Sequence, residues 1–452
     1  MNNYLYTISI FMLIIQCHFK WSLAELKSRN DVINHLGTRT PYRFRFNKHD
    51  DRIKYPKCKD TKIWMIVRHG TRLPSAENIM GMYNELHELK NLIILQNKLG
   101  KENGISLSGN LNKEQIKGFK DWSCNLNVEE AKFLTLEGKD EMILLAERTR
   151  KRFPNAIKHK YDNKTFLFRF TATQRAHQSA RYFTQGLFSH SDAQNVEFAP
   201  ATKVDHVLRF YKHCDKWQKQ VKKNPDTYKE QVLLANSSEM NRTLESVTKR
   251  LGLSRPVTLD EVNLMYKICG YETSWNKFDV SPWCYAFDTE SAEILEYYHD
   301  LKHYWMDGYG HNLTYRQACL ALQTMFKMFR SDHDPFATFL FAHSGTLVKI
   351  LTHLELFKPE QPLTAGLIDK TRQWKASYID CFASNLAFVL YKCKDGDHVL
   401  TLFQERPIKL PMCDKELCPL KQLEHYFYDS IHKCNYADLC NLDKEEKDKN
   451  SQ

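Results

Sequence analysis

A chain of 452 residues with 42% hydrophobic and 26% charged residues has the composition of an ordinary soluble globular protein, with room for two domains or one large domain carrying an insertion. This excludes a disordered chain, and a core of such size needs neither metal nor disulfide. The formal charge of +11 favours anionic partners, but the basic residues are dispersed and no nucleic-acid motif is present, so a highly phosphorylated small molecule fits better than nucleic acid.

Residues 4–15 are almost entirely apolar, too short to span a bilayer comfortably, and are followed by Ser22-Leu23-Ala24, an acceptable cleavage site. Residues 1–24 therefore read as a secretory signal peptide, although Met1 to Asn3 carry no lysine or arginine. No later stretch reaches the length of a membrane span, so any link to a membrane is through secretory targeting. Removing Cys17 with the signal leaves twelve of thirteen cysteines, an even number that fits disulfides formed in an oxidising compartment. Cys413, Cys418, Cys434 and Cys440 lack zinc spacing and read as one or two disulfides tying down the C-terminal region. N-x-S/T sequons begin at Asn163, Asn236, Asn241 and Asn312, and residues 447–452 hold no luminal retention signal. The expected location is outside the cell or in an endomembrane lumen.

Residues 25–58, with Thr38-Arg39-Thr40-Pro41-Tyr42-Arg43 inside them, are polar and basic and read as a surface wrap before the first core strand. Residues 63–67 form a bounded apolar run, predicted as a buried strand. It ends in Arg68-His69-Gly70-Thr71-Arg72, at the strand end where open α/β sheets place their ligand crevices. Guanidiniums fork two hydrogen bonds onto phosphate or carboxylate oxygens and stay charged at any working pH. An imidazole between two of them is placed to attack phosphorus. Gly70 lets the backbone approach a ligand closely, and Pro74 stops immediate continuation as helix. Residues 75–100 carry Ile79, Met82, Leu86, Leu89, Leu92 and Ile93 at helical spacing, 104–112 read as a loop, and 134–153 as a helix capped by Thr135. Arg148, Arg150, Lys151 and Arg152 near its end read as a solvated basic face.

Residues 165–171 alternate as a second core strand, leading to Arg175 and a helix through Phe183 and Leu187. His177 reads as structural. Residues 189–334 form a mainly helical insertion, with helices at 259–269 and 292–307, loops at 254–258 and 271–282, and core packing for Tyr297, Tyr298, Tyr304 and Trp305. Residues 336–342 are a third buried strand. It ends in His343-Ser344-Gly345-Thr346 ahead of a helix over 347–357, where free backbone N–H groups favour an anion. His343 then completes a site with Arg68, His69, Arg72 and Arg175. Residues 381–393 and 398–406 read as a hairpin. The expected organisation is one α/β unit from 25–188 and 335–452, interrupted by the insertion.

The string Arg68-His69-Gly70-Thr71-Arg72-Leu73-Pro74, followed by Arg175 after the second strand, resembles the histidine acid phosphatase family, and the resemblance covers roughly residues 38–420. It implies a three-layer α/β/α domain with a mainly helical cap, and a phosphomonoesterase that needs no cofactor or metal. His69 would be the phosphorylated nucleophile, with Arg68, Arg72, Arg175 and His343 holding the phosphate. Within the family the chain looks most like the inositol polyphosphate branch, which implies phytate-like substrates and 2,3-bisphosphoglycerate. A general acid phosphatase is the competing reading.

One departure stands out. Family members follow the second histidine with Asp, or in the inositol polyphosphate branch with a small residue and then Glu, to protonate the leaving group. This chain has Ser344 and Gly345 there. Asp332 and Asp334 precede the strand, and nine residues at ~3.3 Å each put Asp334 about 30 Å away if extended. Either the proton comes from elsewhere, such as the insertion, a water or a neighbouring substrate phosphate with a second pKa of about 6, or the protein binds phosphorylated ligands and turns them over weakly or not at all. The proton donor is unassigned.

Overall fold

Strand β1 (Cys58–Arg68) lies inside a seven-stranded sheet because its side chains are apolar on both faces. Trp64 and Ile66 pack into one layer, Ile63, Met65 and Val67 into the other, following the two-residue period of a strand. β2 (Phe166–Phe170) and β3 (Ala337–Ala342) run parallel to it, with Ile63 opposite Ala337 and Arg68 opposite Ala342. β4 (Asn385–Cys393) pairs antiparallel on the other side of β1, followed by β5 (Gly396–Phe403) and β6 (Arg406–Ile408), while β7 (Leu417–Pro419) pairs with β5. The order is β2-β3-β1-β4-β5-β6. This register brings the carboxyl ends of β1, β2 and β3 to one edge, with Arg68, Thr171 and His343 side by side.

The computed structural model describes residues 31–102, 109, 111–158, 160–333 and 335–442. The expected signal peptide and Asp334 lie outside them. The principal helices are α1 (His87–Glu102), α2 (Lys113–Asp121), α3 (Leu136–Arg152), α4 (Gln174–Leu187), α5 (Ser238–Leu251), α6 (Leu259–Trp275), α7 (Thr289–Asp307), α8 (Cys319–Arg330) and α9 (Ser344–His353). Helices α3 and α4 cover one face of the sheet through Met142, Leu145, Ala180 and Phe183. Helices α8 and α9 cover the other through Leu322, Met325, Leu347 and Ile350, completing the three-layer α/β/α arrangement. A separate helical core gathers Leu86, Leu89, Phe119, Met240, Val247, Met265, Trp283 and Leu295, so helices ahead of β2 pack with those ahead of β3. Tyr211, Trp217 and Tyr297 instead join the layer against the sheet. Among the described residues no helix is long and apolar enough to cross a membrane.

Local signals account for the helix starts. Thr135 accepts from the Gly138 N–H at 3.2 Å, and Thr258 forms a capping box with Glu261. Helix α6 runs on to Trp275 through residues expected as loop, because Tyr271, Thr273 and Ser274 are buried in the packed helix. The expected solvated basic face on α3 holds at Lys151, exposed beside Asp50, and is corrected for the three arginines. Arg148 and Arg152 both bind the buried Glu405 carboxylate, and Arg150 donates to the Leu187 carbonyl at 2.7 Å. The segment expected to wrap the surface is an internal brace: Thr40 and Tyr42 are buried, the Tyr42 hydroxyl donates to Glu405 at 2.7 Å, and the Thr40 carbonyl accepts from Phe382 N–H at 3.1 Å.

Among the described residues five disulfides pair Cys58–Cys393, Cys214–Cys440, Cys269–Cys284, Cys319–Cys434 and Cys413–Cys418, leaving Cys124 and Cys381 as thiols. Three of them hold the C-terminal region, one more than the upper expectation.

Candidate active site

The loop leaving β1 is held by its backbone. His69 N–H donates to Ala342 O at 3.1 Å, and His69 O accepts from Ala383 N–H at 3.2 Å. Gly70 N–H donates to Ser179 Oγ on α4 at 3.1 Å. A Cβ on Gly70 would lie 2.6 Å from the Gly138 carbonyl oxygen, and one on Gly138 would lie 2.3 Å from that of Thr71. The loop and the start of α3 therefore touch backbone to backbone, which only glycine permits. The chain beyond is fixed to the same helix: Thr71 N–H and hydroxyl donate to the two oxygens of Glu141 at 2.7 and 2.9 Å.

These constraints aim the two imidazoles. His69 Nδ1 lies 2.9 Å from the Gly70 carbonyl oxygen, an acceptor, so the hydrogen sits on Nδ1 and Nε2 is left bare. His343, the N-cap of α9, stands with its ring 5.5 Å from that of His69 at 67°. Its Nδ1 faces Arg175 Nη2 at 3.4 Å and its Nε2 faces Thr171 Oγ1 at 2.9 Å. Since guanidinium can only donate, Nδ1 accepts and Nε2 donates to the threonine.

Guanidiniums crowd around this pair. Arg68 lies 3.3 Å from Asp380 Oδ1, also donates to the Asp380 carbonyl, and sits over the Phe382 ring at 4.7 Å. Arg72 and Arg39 both approach the Tyr271 ring, at 5.4 and 5.3 Å. Burial first, then Arg175, Arg68, His343 and Arg72, hold His69 well below the usual imidazole range. His343 is pushed down likewise by burial and then by Arg175, Arg209, Arg72 and Arg68. Burial, Arg72 and Arg209 pull Arg175 itself down to about 10. Burial raises the Tyr271 phenol, but Arg72 and Arg39 outweigh it and bring the group to about 8. The Nε atoms of Arg39, Arg68, Arg175 and Arg209 are buried without a hydrogen-bond partner. Such a site is cationic, supplied with unused donors, and holds its imidazoles neutral.

Every residue expected at the site meets there: Arg68, His69, Arg72, Arg175 and His343. His177 stacks on Phe170 at 4.6 Å, as packing. Sequence reasoning missed Arg39, Arg209, Tyr271 and Asp380. For Arg209 the sequence offers just an arginine between the apolar Leu208 and Phe210, a pattern that names no site without the fold. Asp332 is exposed ahead of β3, at the opposite end of that strand, and Ser344 donates its hydroxyl to Asp380 Oδ2.

The architecture and its relatives define a phosphoric monoester hydrolase. The family model described as Histidine phosphatase superfamily (branch 2) matches residues 61–404, and the chain belongs to that family. Multiple inositol polyphosphate phosphatase 1 of Drosophila melanogaster is 30% identical over 82% of this chain and 79% of its own. The Homo sapiens protein of the same name is 27% identical over 92% and 88%. Among solved structures, the phytase from D. castellii superposes with a TM-score of 0.71 at 16% identity, covering 91% of this chain and 88% of that one. Bifidobacterium longum multiple inositol polyphosphate phosphatase, in complex with inositol hexasulfate, gives 0.64 at 14% identity over 91% and 99%. These structures share the fold.

Proposed function

We propose that the protein hydrolyses inositol polyphosphates of the phytate type through a phosphohistidine on His69. The observation that carries this reading is the set of buried, unpartnered Nε donors on Arg39, Arg68, Arg175 and Arg209 around two neutral imidazoles. A single phosphate needs fewer cations than the site gathers. A substrate with several phosphates satisfies the surplus, and relatives named for inositol polyphosphates support that choice. Arg68, Arg72 and Arg175 would neutralise the nonbridging oxygens, with His343 holding Arg175 in place, while the bare Nε2 of His69 attacks phosphorus. Water then releases phosphate from the imidazole. 2,3-Bisphosphoglycerate, with adjacent phosphates, is a second substrate of the same kind.

The test is trapping. Purified protein given radiolabelled inositol hexakisphosphate should yield an acid-labile phosphohistidine that is absent from His69→Ala, together with released phosphate. Absence of both from the wild-type protein overturns the reading. A second reading, a binder of phosphorylated ligands with weak or no turnover, is favoured by the lack of a carboxyl at residues 344 and 345. Tight binding of inositol hexakisphosphate without release would select it, and turnover of simple alkyl phosphates at equal rates would select a general acid phosphatase.

We further propose secretion or residence in an endomembrane lumen with N-glycosylation. The five disulfides and the exposure of Asn163, Asn236, Asn241 and Asn312 support this. A mobility shift on glycosidase treatment of the protein from its own secretory pathway tests it.

A further inference from the structure

Breaking a phosphate ester of an alcohol leaves an alkoxide that needs a proton, and residues 344 and 345 carry no acid. Three buried carboxyls flank the loop and the helix cap, each already bound. Glu141 accepts from Thr71 and Tyr42 beneath the loop, Asp307 holds Lys349 and His303, and Asp380 faces Arg68 and Ser344. Burial raises the Asp380 carboxyl, which makes it the strongest rival, but its Oδ1 faces Arg68 at 3.3 Å and its Oδ2 takes the Ser344 hydroxyl, the group that could relay its proton.

Another group occupies the missing side chain's place. The Tyr211 ring packs directly on Gly345: a Cβ added there would meet Tyr211 Cζ at 3.1 Å and its hydroxyl oxygen at 3.3 Å. Glycine at 345 is what lets a phenol lie over the first turn of α9, beside the His343 cap. The ring is buried and is gripped by the Lys349 ammonium at 4.6 Å from its centroid. Its hydroxyl meets the side chain of Thr346. The Thr346 hydroxyl donates to the Leu208 carbonyl, so its hydrogen is committed away from the phenol. Arg209 and Arg175 act on this hydroxyl, and the same two arginines act on His343.

We propose that Tyr211 is the catalytic proton donor to the departing ester oxygen, standing where a side chain at residue 345 would otherwise project. This rests on the phosphohistidine reading above. In the first step the His69 Nε2–P bond forms, the P–O ester bond breaks with its electron pair on the alcohol oxygen, and the Tyr211 hydroxyl proton passes to that oxygen. The resulting phenolate lies in the field of Arg175 and Arg209. In the second step water attacks the phosphoimidazole, its proton returns to the phenolate, and inorganic phosphate leaves with the N–P bond broken. Burial, then Asp307, pushes the phenol up to about 12, so the donor stays protonated through the neutral range and does not set an alkaline limb there.

The experiment is Tyr211→Phe in the full chain, which removes one oxygen and keeps the ring over Gly345. The reading is the ratio of kcat/KM on inositol hexakisphosphate to that on a nitrophenyl phosphate, whose leaving group needs no proton. The ratio should fall by about 10²-fold or more, within the usual range for a lost general acid. Gly345→Ala keeps the hydroxyl but crowds the ring, and should move the ratio the same way by less. An unchanged ratio in Tyr211→Phe overturns the assignment. So does a fall seen in Ser344→Ala in its place, which would make Asp380 the source. If wild-type protein forms no phosphohistidine from either ester, the phosphohistidine reading itself fails, and the donor with it.

Discussion

The backbone N–H and the hydroxyl of Thr71 both end on the Glu141 carboxylate, at 2.7 and 2.9 Å, so a buried acid on α3 sets the path of the loop that carries His69. Tyr42 N–H adds a third bond at 3.2 Å. Glutamine there presents an N–H₂ to donors, and hydrogen bonds to charged groups are worth about 1.5–3 kcal/mol each. Glu141→Gln should lose about that much stability to urea and most of its kcat. Burial lifts the Glu141 carboxyl to about 7 from an ordinary 4.5, so between these values the folded state holds a proton that the unfolded chain releases. Stability contributed by this group therefore falls as pH rises from about 4.5 to 7. Urea unfolding of both proteins across that range should show the stability advantage of the wild type over the variant shrinking as pH rises.

Arg209 acts on His343 and on Tyr211 from outside the two motif loops. Arg209→Ala should raise KM for inositol hexakisphosphate by roughly tenfold to a hundredfold, the loss of a charge-assisted pair of 1.5–3 kcal/mol. Arg209→Lys should recover only part, since an ammonium cannot fork onto two oxygens. Initial rates over a substrate series measure both.

The strands and the two phosphate loops were legible because each is local. Residues 63–67 are an unbroken apolar run and 336–342 one interrupted by Thr338 alone, and arginine or histidine at their ends is visible without a partner. Arg39, Arg209 and Tyr271 were not legible, because they arrive from a segment read as surface, a segment read as insertion and a helix read as loop. For Arg39 and Tyr271 the role lies in the tertiary meeting of α6 with the segment around Arg39. The same holds for helices α1 and α2, whose packing against α5 and α6 no local pattern announces. Arg148 and Arg152 misled for the opposite reason: a basic run at a helix end looks solvated unless the partner acid, here Glu405, 253 residues away from Arg152, is known.

That acid is a second structural hinge of the domain. Glu405 takes both guanidiniums and the Tyr42 hydroxyl with 3% of its surface exposed. Removing one partner of a buried ion pair strands the other charges, at about 3–5 kcal/mol. Glu405→Gln should lower the denaturant midpoint accordingly while leaving KM in the surviving folded fraction near its original value. A change confined to KM would show that this network serves the site instead of the fold.

The neutrality of His69 is enforced by its neighbours, and that makes a prediction with a definite sign. Burial and then Arg175 head the causes that hold its imidazole well below 6.5. Attack needs the bare nitrogen, so kcat/KM should fall on acidification only as pH drops through this depressed value. Arg175→Ala removes the largest single charge effect, so the imidazole rises and the acid limb should move to higher pH, on top of a lower maximum. The linked effect on stability runs in the same direction. Below 6.5 the unfolded chain takes up a proton that the folded site refuses, so the ligand-free protein loses stability as pH falls from there toward the depressed value. Inorganic phosphate, by neutralising the guanidiniums, should raise both imidazoles and weaken that loss. Thermal melts at pH 5 to 7 with and without phosphate, set beside the kcat/KM profiles of wild type and Arg175→Ala, check both halves. An acid limb that stays in place in the variant would mean that Arg175 does not govern His69.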